Sequence, residues 1–591
     1  MRRREERGRR TGGRGMVSEW MERHFLSSSV HPLPSRLDFH HITRSHGRTL
    51  RLWNRTVATI GPPRTTLTAA GRVLASHPPA HRQTSLAMST TLFTNARLVG
   101  RGDETYSVLV RGGRIAFIEA SGSASPPPDA KVHDLAGSSF VAPSLIDAHT
   151  HFPTWAMAAK RIDFYTAKSA AEVLDRVRAW LPEQPDDGLF VVGQRMRVGE
   201  WPDVADMNRL ALDSLETVRP LVLFFAGFHS LCANSAALKR IGFEPEGHSG
   251  VLEEADCFGA WTKIGQIPPA VLDVAVDLAA RNAAAMGITE ILDLEMDFNI
   301  DHWTRRVQKG TDVLRVRCGL YEQHLPSAIA AGYKTGDVLP NTQGLVTVGP
   351  HKIITDGSLG SRTACCHDPY PNEPENFGHF EYEPKTLKSM MEKAIDAGFA
   401  LAVHAIGDKA NQLTLQTFAS LSKPALPGSS IEHAQLLTFS DIPLFTGLGL
   451  IASIQPAHMV DDRELCSQFW PGREHRAYAF KTLADAGVTL KLGSDAPVAK
   501  VDPWDALAVA IFRTAAGEED LPSSAWHPEQ CLTPSEAWRA VTSNGKISLE
   551  VGDRADVVVL PMDPLKADAK ELRSMQVMGT MLGGRWTHFA M

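Results

Sequence analysis

The chain has 591 residues, of which 43% are hydrophobic and 22% are charged. This composition is typical of a folded globular enzyme and excludes fibrous and collagen-like classes. No stretch approaches the roughly 20 uncharged apolar residues that span a bilayer, so we expect no membrane association. The seven cysteines are odd in number and lack CxxC spacing, which predicts reduced thiols and a cytoplasmic protein.

Charge is distributed unevenly along the chain. Residues 1–87 contain 16 arginines, no lysine and five acids, a net charge of +11, whereas the whole chain carries −6, so the remainder carries −17. Residues 1–88 have no sustained hydrophobic periodicity, and we predict a basic, disordered extension outside the fold. A mitochondrial transit peptide is the alternative, although the acids among the first 22 residues depart from that pattern. The acidic body argues against nucleic-acid binding.

Short strands are predicted near both ends of the remaining chain. They are residues 92–99, 107–118, 556–560 and 576–586. Gly112-Gly113 separates two apolar runs and predicts a hairpin turn. Because both ends consist of short strands with alternating apolar and polar residues, we predict that residues 89–142 and 546–591 form one composite β-sandwich.

Residues 143–545 alternate apolar strands with amphipathic helices, which is typical of a parallel α/β fold. The first predicted strand ends in His149-Thr150-His151, and the other seven are residues 288–293, 314–320, 351–356, 401–404, 430–433, 450–454 and 489–495. Helices are predicted over residues 269–286, 386–397 and 475–486, each followed by a glycine. Eight such strands predict a (β/α)8 TIM-like barrel.

One connection in this barrel is too long for a single βα loop. Residues 161–267 hold candidate strands of their own at 190–193 and 221–225. We therefore predict an inserted subdomain over residues 161–267.

Potential metal ligands follow several of the predicted strands. His149 and His151 are two residues apart, so both imidazoles point to one side of a strand and can reach one ion. The later strands carry Lys352, His404, His433 and Asp495. Active sites of β/α barrels lie at the carboxyl ends of the strands, so we expect these side chains to converge. Each alone could be a structural histidine, lysine or turn aspartate, but together they predict a metal site.

With these motifs, residues 90–591 resemble the amidohydrolase superfamily, and within it family 3. The motifs that carry the resemblance are residues 147–151, 352–362, 403–408, 431–435, 453–458 and 492–497. The resemblance implies one or two divalent metals, usually zinc, bound in the barrel. It assigns His149 and His151 to the first metal and His404 and His433 to the second. It also implies that Asp495 binds metal and serves as base, and that a carboxylated Lys352 bridges the ions.

The predicted function is hydrolysis of an amide or formamide C–N bond outside peptides in a small-molecule substrate, by metal-activated hydroxide with Asp495 as base. If Lys352 is unmodified, a mononuclear site is favoured. The same site would also suit a cyclic amide or carbamate hydrolase, or a deaminase. A non-catalytic barrel with a binding or regulatory role is the alternative from another class.

Other residues are candidates for substrate binding. They are His229, Arg362 and His458, each of which could instead cap the rim or form a structural ion pair. Trp201 and Trp470 could line an apolar pocket or pack in its wall. A homo-oligomer is left open by the sequence.

Overall fold

The structure, a computed structural model, describes residues 90–591 except 124, 159–160, 185, 187, 199–200, 227–229, 266 and 521–524, and without the side chains of 254, 255 and 258. The predicted basic extension, residues 1–88, lies outside the described residues, and so does His229. Among the helices that are described, none has the length and apolar character needed to cross a membrane.

Strands and helices are numbered here in chain order. The strands are β1 Thr90–Leu98, β2 Thr105–Arg111, β3 Arg114–Ala120, β4 Ala130–Asp134, β5 Phe140–Pro143, β6 Leu145–Thr150, β7 Ile162–Asp163, β8 Val191–Met196, β9 Leu221–Phe225, β10 Ser230–Ala233, β11 Val251–Glu253, β12 Ile288–Asp293, β13 Arg315–Leu320, β14 Val346–Ile354, β15 Leu401–Ala405, β16 Ser430–His433, β17 Ile451–Ile454, β18 Thr489–Leu492, β19 Val557–Leu560, β20 Gly579–Leu582 and β21 Arg585–Phe589. The α-helices are α1 Phe152–Ala158, α2 Ala170–Trp180, α3 Arg209–Asp213, α4 Ser235–Ile241, α5 Glu254–Ile264, α6 Pro269–Ala285, α7 Asn299–Gln308, α8 Leu325–Ala330, α9 Pro384–Asp396, α10 Asp408–Ala419, α11 Ile442–Leu448, α12 Pro456–Phe469, α13 Phe480–Asp485, α14 Pro503–Phe512, α15 Pro534–Val541 and α16 Ala569–Arg573.

The predicted (β/α)8 barrel is confirmed. Strands β12 to β18 follow β6 in spatial order, and each pairs in parallel with its neighbour. The ring closes beyond the end of β18, where the Asp495 amide donates to His149 O at 2.7 Å and the His151 amide donates to Ala496 O at 2.9 Å. All eight carboxyl ends therefore meet at one rim of the barrel, and this is the rim at which β/α barrels carry their active sites.

Helix α9 packs on the barrel through one apolar face. In α9 the buried residues are Leu387, Met391, Ala394 and Ile395, a spacing that places them on one helical stripe. Burying a leucine or methionine side chain contributes about 1.5–3 kcal/mol, so this stripe favours packing of the helix against the sheet. Gly398, with φ of +90°, ends the helix as the sequence predicts.

Strands from both ends of the described chain share one sheet. Its order is β21-β20-β19-β5-β1-β2-β3, with β4 paired to β1. The hairpin predicted at Gly112-Gly113 is present, since Arg111 pairs with Arg114 across it. Val141 in β5 pairs with Val559 in β19, so hydrogen bonds join the two ends directly.

Residues 162–253 contain a second, five-stranded sheet with the order β11-β10-β9-β8-β7. It has apolar clusters of its own, with Trp201 and Leu223 in one of them and Phe224 and Leu238 in another. These strands lie between α1 and α6 in the chain, where the sequence predicts an inserted segment.

Two elements differ from the sequence prediction. The apolar run over residues 140–149, which has the pattern of one buried strand, is two strands, β5 and β6. They are separate because the Ser144 amide donates to Asp556 O at 3.1 Å rather than within the barrel. The helix predicted over residues 475–486 begins at Phe480. Tyr478, with φ of +52°, interrupts the helical backbone before that point.

Candidate metal centre

The end of β6 and the turn after β18 bring three predicted ligands together. Asp495 Oδ1 lies 3.3 Å from His149 Nε2 and 3.4 Å from His151 Nε2. His149 and Asp495 are buried, whereas the side chain of His151 is 23% exposed. Burial lowers the pKa of His151, but the hydrogen bond and charge of Asp495 outweigh it, so the pKa is raised overall.

Glu432, which the sequence analysis missed, holds the other side of the His149 ring. His149 Nδ1 lies 2.5 Å from Glu432 Oε2, and Ser430 Oγ donates to the second carboxylate oxygen. Burial alone would raise the pKa of Glu432, but His149 and Lys352 lower it to about 2. The carboxylate is therefore ionised and accepts the Nδ1 proton, which leaves Nε2 of His149 as the free donor atom.

His404 and His433 meet at the ends of β15 and β16, with ring centroids 4.5 Å apart. His433 Nδ1 lies 2.8 Å from Gln455 Oε1. Because Gln455 Nε2 donates to Ser453 O at 3.2 Å, its oxygen faces His433 and accepts the Nδ1 proton. His404 Nε2 lies 3.5 Å from Gly357 O. Each ring thus has one nitrogen engaged by the protein and one left free.

Burial controls the protonation of these two rings. It lowers the pKa of His404 to about 3, with a further contribution from Lys352. It also lowers the pKa of His433 well below its usual value, with His404 adding to the effect. Both imidazoles are therefore neutral near pH 7, the form that binds a metal ion.

The backbone is unusual at two of these positions. His433 has φ of +72° and Asp495 has φ of +53°, values that non-glycine residues rarely adopt. Such conformations cluster at functional sites. At His433 the left-handed backbone ends the alternation of β16, so Glu432 and His433 both contact histidines of the centre.

Asp147 and Gly493 set the close approach of β18 to β6. Ser494 donates to Asp147 through its amide at 2.9 Å and through Oγ at 2.6 Å. Burial raises the pKa of Asp147 to about 6, although these hydrogen bonds oppose it. A Cβ at Gly493 would lie 2.6 Å from both Cβ and N of His149, so only glycine fits at this position.

Lys352 lies within the barrel, among the predicted ligands. Its Nζ is 3.4 Å from His149 Nε2, and the residue is 3% exposed. Burial lowers the pKa of the amine, although the charges of Glu432 and Asp495 oppose it. A desolvated amine of this kind is easier to deprotonate and hence to modify.

Asp356 fixes the Gly-Ser loop after β14 against β15. It accepts backbone N–H groups from Cys365, Ile406 and Gly407 at 2.9–3.0 Å. Burial raises its pKa to about 7 despite these three bonds. The same carboxylate lies 3.5 Å from His404 Nε2, so it supports the orientation of that ring.

The donor set fits a divalent cation. Two ligands on one tetrahedral zinc, each about 2.1 Å from the ion, lie about 3.4 Å apart, which matches the spacing of Asp495 Oδ1 from His149 and His151. Among the residues that the structure describes, two groups of three side chains have ligand atoms within 4.8 Å of one another: His149, His151 and Asp495, and His433, His458 and Asp495. Imidazole nitrogens with a carboxylate suit zinc among biological cations.

The remaining predicted residues lie in different surroundings. Arg362 pairs with Glu373 at 3.0 Å, and its guanidinium lies over Phe469 at 5.5 Å. His458 lies 3.9 Å from Asp495 Oδ2. Trp201 and Trp470 are buried in apolar clusters. Substrate binding by Arg362, His229 or His458 stays a prediction.

Comparison with known proteins decides the family. The amidohydrolase family model matches residues 131–588. The chain belongs to the amidohydrolase family. The resemblance drawn from the sequence motifs is thereby confirmed, and with it the prediction of an enzyme of the amidohydrolase type.

Individual relatives agree with this assignment. The YtcJ protein of Bacillus subtilis is 26% identical over 528 residues, covering 83% of this chain and 97% of its own length. The N-substituted formamide deformylase of Arthrobacter pascens is 26% identical over 549 residues, covering 83% and 96%. An uncharacterized metal-dependent hydrolase from Pyrococcus horikoshii has the same fold, with a TM-score of 0.68 at 21% identity over 82% of this chain and 99% of that one.

Proposed function

We propose that this protein is a metal-dependent hydrolase that cleaves an amide or formamide C–N bond outside peptides in a small-molecule substrate. Asp495 carries the proposal. One oxygen of its carboxylate lies 3.3–3.4 Å from the imidazoles of His149 and His151, and the other faces His458. A histidine-rich site with one central carboxylate is the arrangement that hydrolytic zinc sites use.

We choose the C–N bond of the proposed substrate by comparison with a relative. N-substituted formamide deformylase, by its name, acts on formamides, and it covers most of this chain. The fold alone does not select among C–N bonds. An N-acyl or N-formyl amine is therefore the substrate class we propose.

The residues of the chain have distinct roles in this reaction. A bound zinc ion would lower the pKa of water and polarise the substrate carbonyl. His149, His151, His404 and His433 would hold the metal, as the resemblance implies. Asp495 takes the proton of the attacking water and returns it to the leaving nitrogen, because an amine leaves poorly unless it is protonated.

We also propose that Lys352 is carboxylated. Its neutral amine would attack the carbon of CO2, forming an N–C bond as one C=O π bond opens, and would lose one proton to solvent. The product is a carbamate whose single negative charge is shared by two oxygens. The position of Nζ beside His149 Nε2 supports this step, since an ammonium at that point would repel a cation.

The domain boundaries predicted from the sequence are retained as part of the proposal. They are 1–88, 89–142, 143–545 with 161–267 inserted, and 546–591. We also retain the prediction that the composite sheet folds as a sandwich. Strand β1 supports this prediction, because it pairs with β4 over Thr90–Thr94 and with β5 at Arg97 and Leu98, so this one strand joins two others. We also keep the reducing, cytoplasmic compartment as a proposal, on the odd number and unpaired spacing of the seven cysteines.

The test is a hydrolysis screen on zinc-loaded protein. The panel contains N-formyl amines, N-acyl amino acids and cyclic ureides, and release of the amine is measured. We expect turnover of N-formyl or N-acyl amines and its loss after the metal is removed by a chelator. The exposed-histidine variant His379→Gln is the control and should retain activity.

Two outcomes would contradict the proposal. Turnover of cyclic ureides alone would establish the cyclic amidohydrolase alternative. Equal turnover before and after complete metal removal would refute the metal-dependent mechanism.

A further inference from the structure

His151 stands directly before α1, whose first residue is Phe152. Its carbonyl accepts the amide of Trp155 at 2.9 Å, so His151 occupies the N-cap position of this helix. The first amides of a helix lack partners within it, and the side chain of the N-cap residue commonly accepts one of them. The His151 imidazole is turned instead towards Asp495 Oδ1, at 3.4 Å. The amides of α1 therefore need acceptors from elsewhere.

Two carboxylates at and just after the end of β12 supply these acceptors. Asp293 Oδ1 accepts the amide of Phe152 at 3.0 Å. Glu295 Oε2 accepts the amide of Thr154 at 3.1 Å and the Thr154 hydroxyl at 2.6 Å. The first turn of α1 is thus fixed to a neighbouring barrel strand by side chains from that strand, rather than by its own cap residue.

The backbone around His151 is tied to its neighbours as well. The Leu294 amide donates to Thr150 O at 2.7 Å, and the His151 amide donates to Ala496 O at 2.9 Å. Together with the two carboxylates, these bonds fix the chain on both sides of His151.

The His151 ring lacks the support that the His149 ring has. Glu432 engages Nδ1 of His149, whereas Asp495 is the one hydrogen-bonding partner of the His151 ring in the described part of the chain. The side chain of His151 is also 23% exposed, so packing constrains it less. The direction of this imidazole therefore depends on where the first turn of α1 holds its backbone.

The two capping carboxylates differ in how much else they hold. Asp293 is fully buried, and its Oδ2 also accepts Nδ2 of Asn299 and Nε1 of Trp303, at 2.5 and 2.6 Å. Replacing Asp293 would leave these buried donors without an acceptor, which destabilises the fold. Glu295 is half-buried and, among the described residues, accepts from Thr154 and from the adjacent amide of residue 296. It can therefore be replaced with less damage to the fold.

We propose that Glu295 is a positioning residue for His151. It fixes Thr154, the third residue after His151, and so holds the imidazole against Asp495 at the metal centre. The hydrogen bonds to Thr154 carry this effect, because they set the position of the helical turn. This inference rests on the proposed metal-dependent function and deepens it, because it gives β12, which carries none of the predicted ligands, a part in supporting the site.

The experiment compares zinc binding by variants of the full-length protein in equilibrium dialysis. Glu295→Leu has no acceptor, and we expect its more tightly bound zinc ion to bind about tenfold more weakly, the lower end for loss of an outer partner. Glu295→Gln keeps an acceptor oxygen without the charge and should stay within about threefold of wild type. Asp297→Asn removes a charge from an exposed position of the same loop; it is the control and should match wild type.

Thr154→Val tests the same contact from the other side, and it applies even if Glu295→Leu does not fold. It removes the hydroxyl donor and should weaken zinc binding about fivefold. Denaturant unfolding of the zinc-free proteins separates positioning from a purely structural role. A structural role would lower the free energy of unfolding and leave the zinc affinity of the folded variant unchanged.

Wild-type zinc affinity in folded Glu295→Leu, or in Thr154→Val if Glu295→Leu does not fold, would overturn the inference. Equal weakening in Glu295→Gln and Glu295→Leu would also overturn it, because the charge of Glu295 and not its hydrogen bonds would then be responsible. Failure of the proposed function is distinct, since it would appear as a zinc-loaded wild type that hydrolyses none of the amides while the zinc affinities still differ as stated.

Discussion

The two halves of the candidate metal centre, His149 with His151 and His404 with His433, are supported by different chemistry. In the first half, His149 is held by the buried carboxylate of Glu432. In the second half, His433 is held by the amide of Gln455 and His404 by the carbonyl of Gly357. The carboxyl group of Asp356 lies 3.5 Å from His404, but burial raises its pKa to about 7, so it is only partly ionised near pH 7. An anionic partner raises the basicity of an imidazole more than a neutral one. We therefore expect the first half to bind its ion more tightly.

Replacing Asp495, which faces both halves, should have the largest effect. In Asp495→Asn we expect hydrolysis to fall by about 10²–10⁴-fold, because the variant lacks the base for the attacking water. Amide hydrolysis is measured at zinc concentrations that saturate the variant. Turnover within threefold of wild type would assign the base to another residue.

Gly493→Ala should disrupt the close packing of the residue after β18 against His149. The new Cβ would meet backbone and side-chain atoms of His149 at 2.6 Å, so we expect a loss of about 3 kcal/mol in the free energy of unfolding. Denaturant unfolding measures it. Gly447→Ala is the matched control, because its Cβ would have nothing within 4 Å; equal stability of the two variants would contradict the account.

Glu432→Gln should weaken the first ion selectively. The amide keeps the size of the side chain but removes the negative charge that His149 faces, and we expect about 10–100-fold weaker zinc binding in the first half. Zinc titration measures both affinities. Glu392→Gln, on the outer helix α9, serves as the control. If Glu432→Gln loses affinity only for the second ion, the first half is not the one that Glu432 supports.

Gln455→Leu should have the smallest effect of the series. It removes the acceptor for His433 Nδ1, and we expect about tenfold weaker binding of the second ion, the lower end for loss of such a partner. The same titration measures it. A larger loss here than in Glu432→Gln would show that the neutral partner matters more than the charged one.

Much of this arrangement could be predicted from the sequence, because it follows from regular geometry. The His149-Thr150-His151 spacing places two rings on one side of a strand, and the eight apolar strands predict a barrel whose ends converge. The confirmed (β/α)8 fold is the result. The ligand roles themselves stay predictions.

The supporting residues were not predicted, for physical reasons. Glu432 precedes His433 directly, and strand alternation would point the two side chains apart. The left-handed backbone at His433 brings both side chains to the centre. No pattern in the sequence predicts this backbone conformation. The available signal was the glutamate itself, since an ionisable side chain within a buried strand requires a partner. Gln455 offered no comparable signal.

The most direct test of the central claim is the zinc content of the purified full-length protein expressed with zinc in the medium. Our account predicts about one to two zinc ions per chain, since the site can hold one or two. Removing the metal should abolish hydrolysis, and adding zinc back should restore it. Protein that contains no zinc and takes up none on dialysis would contradict the account.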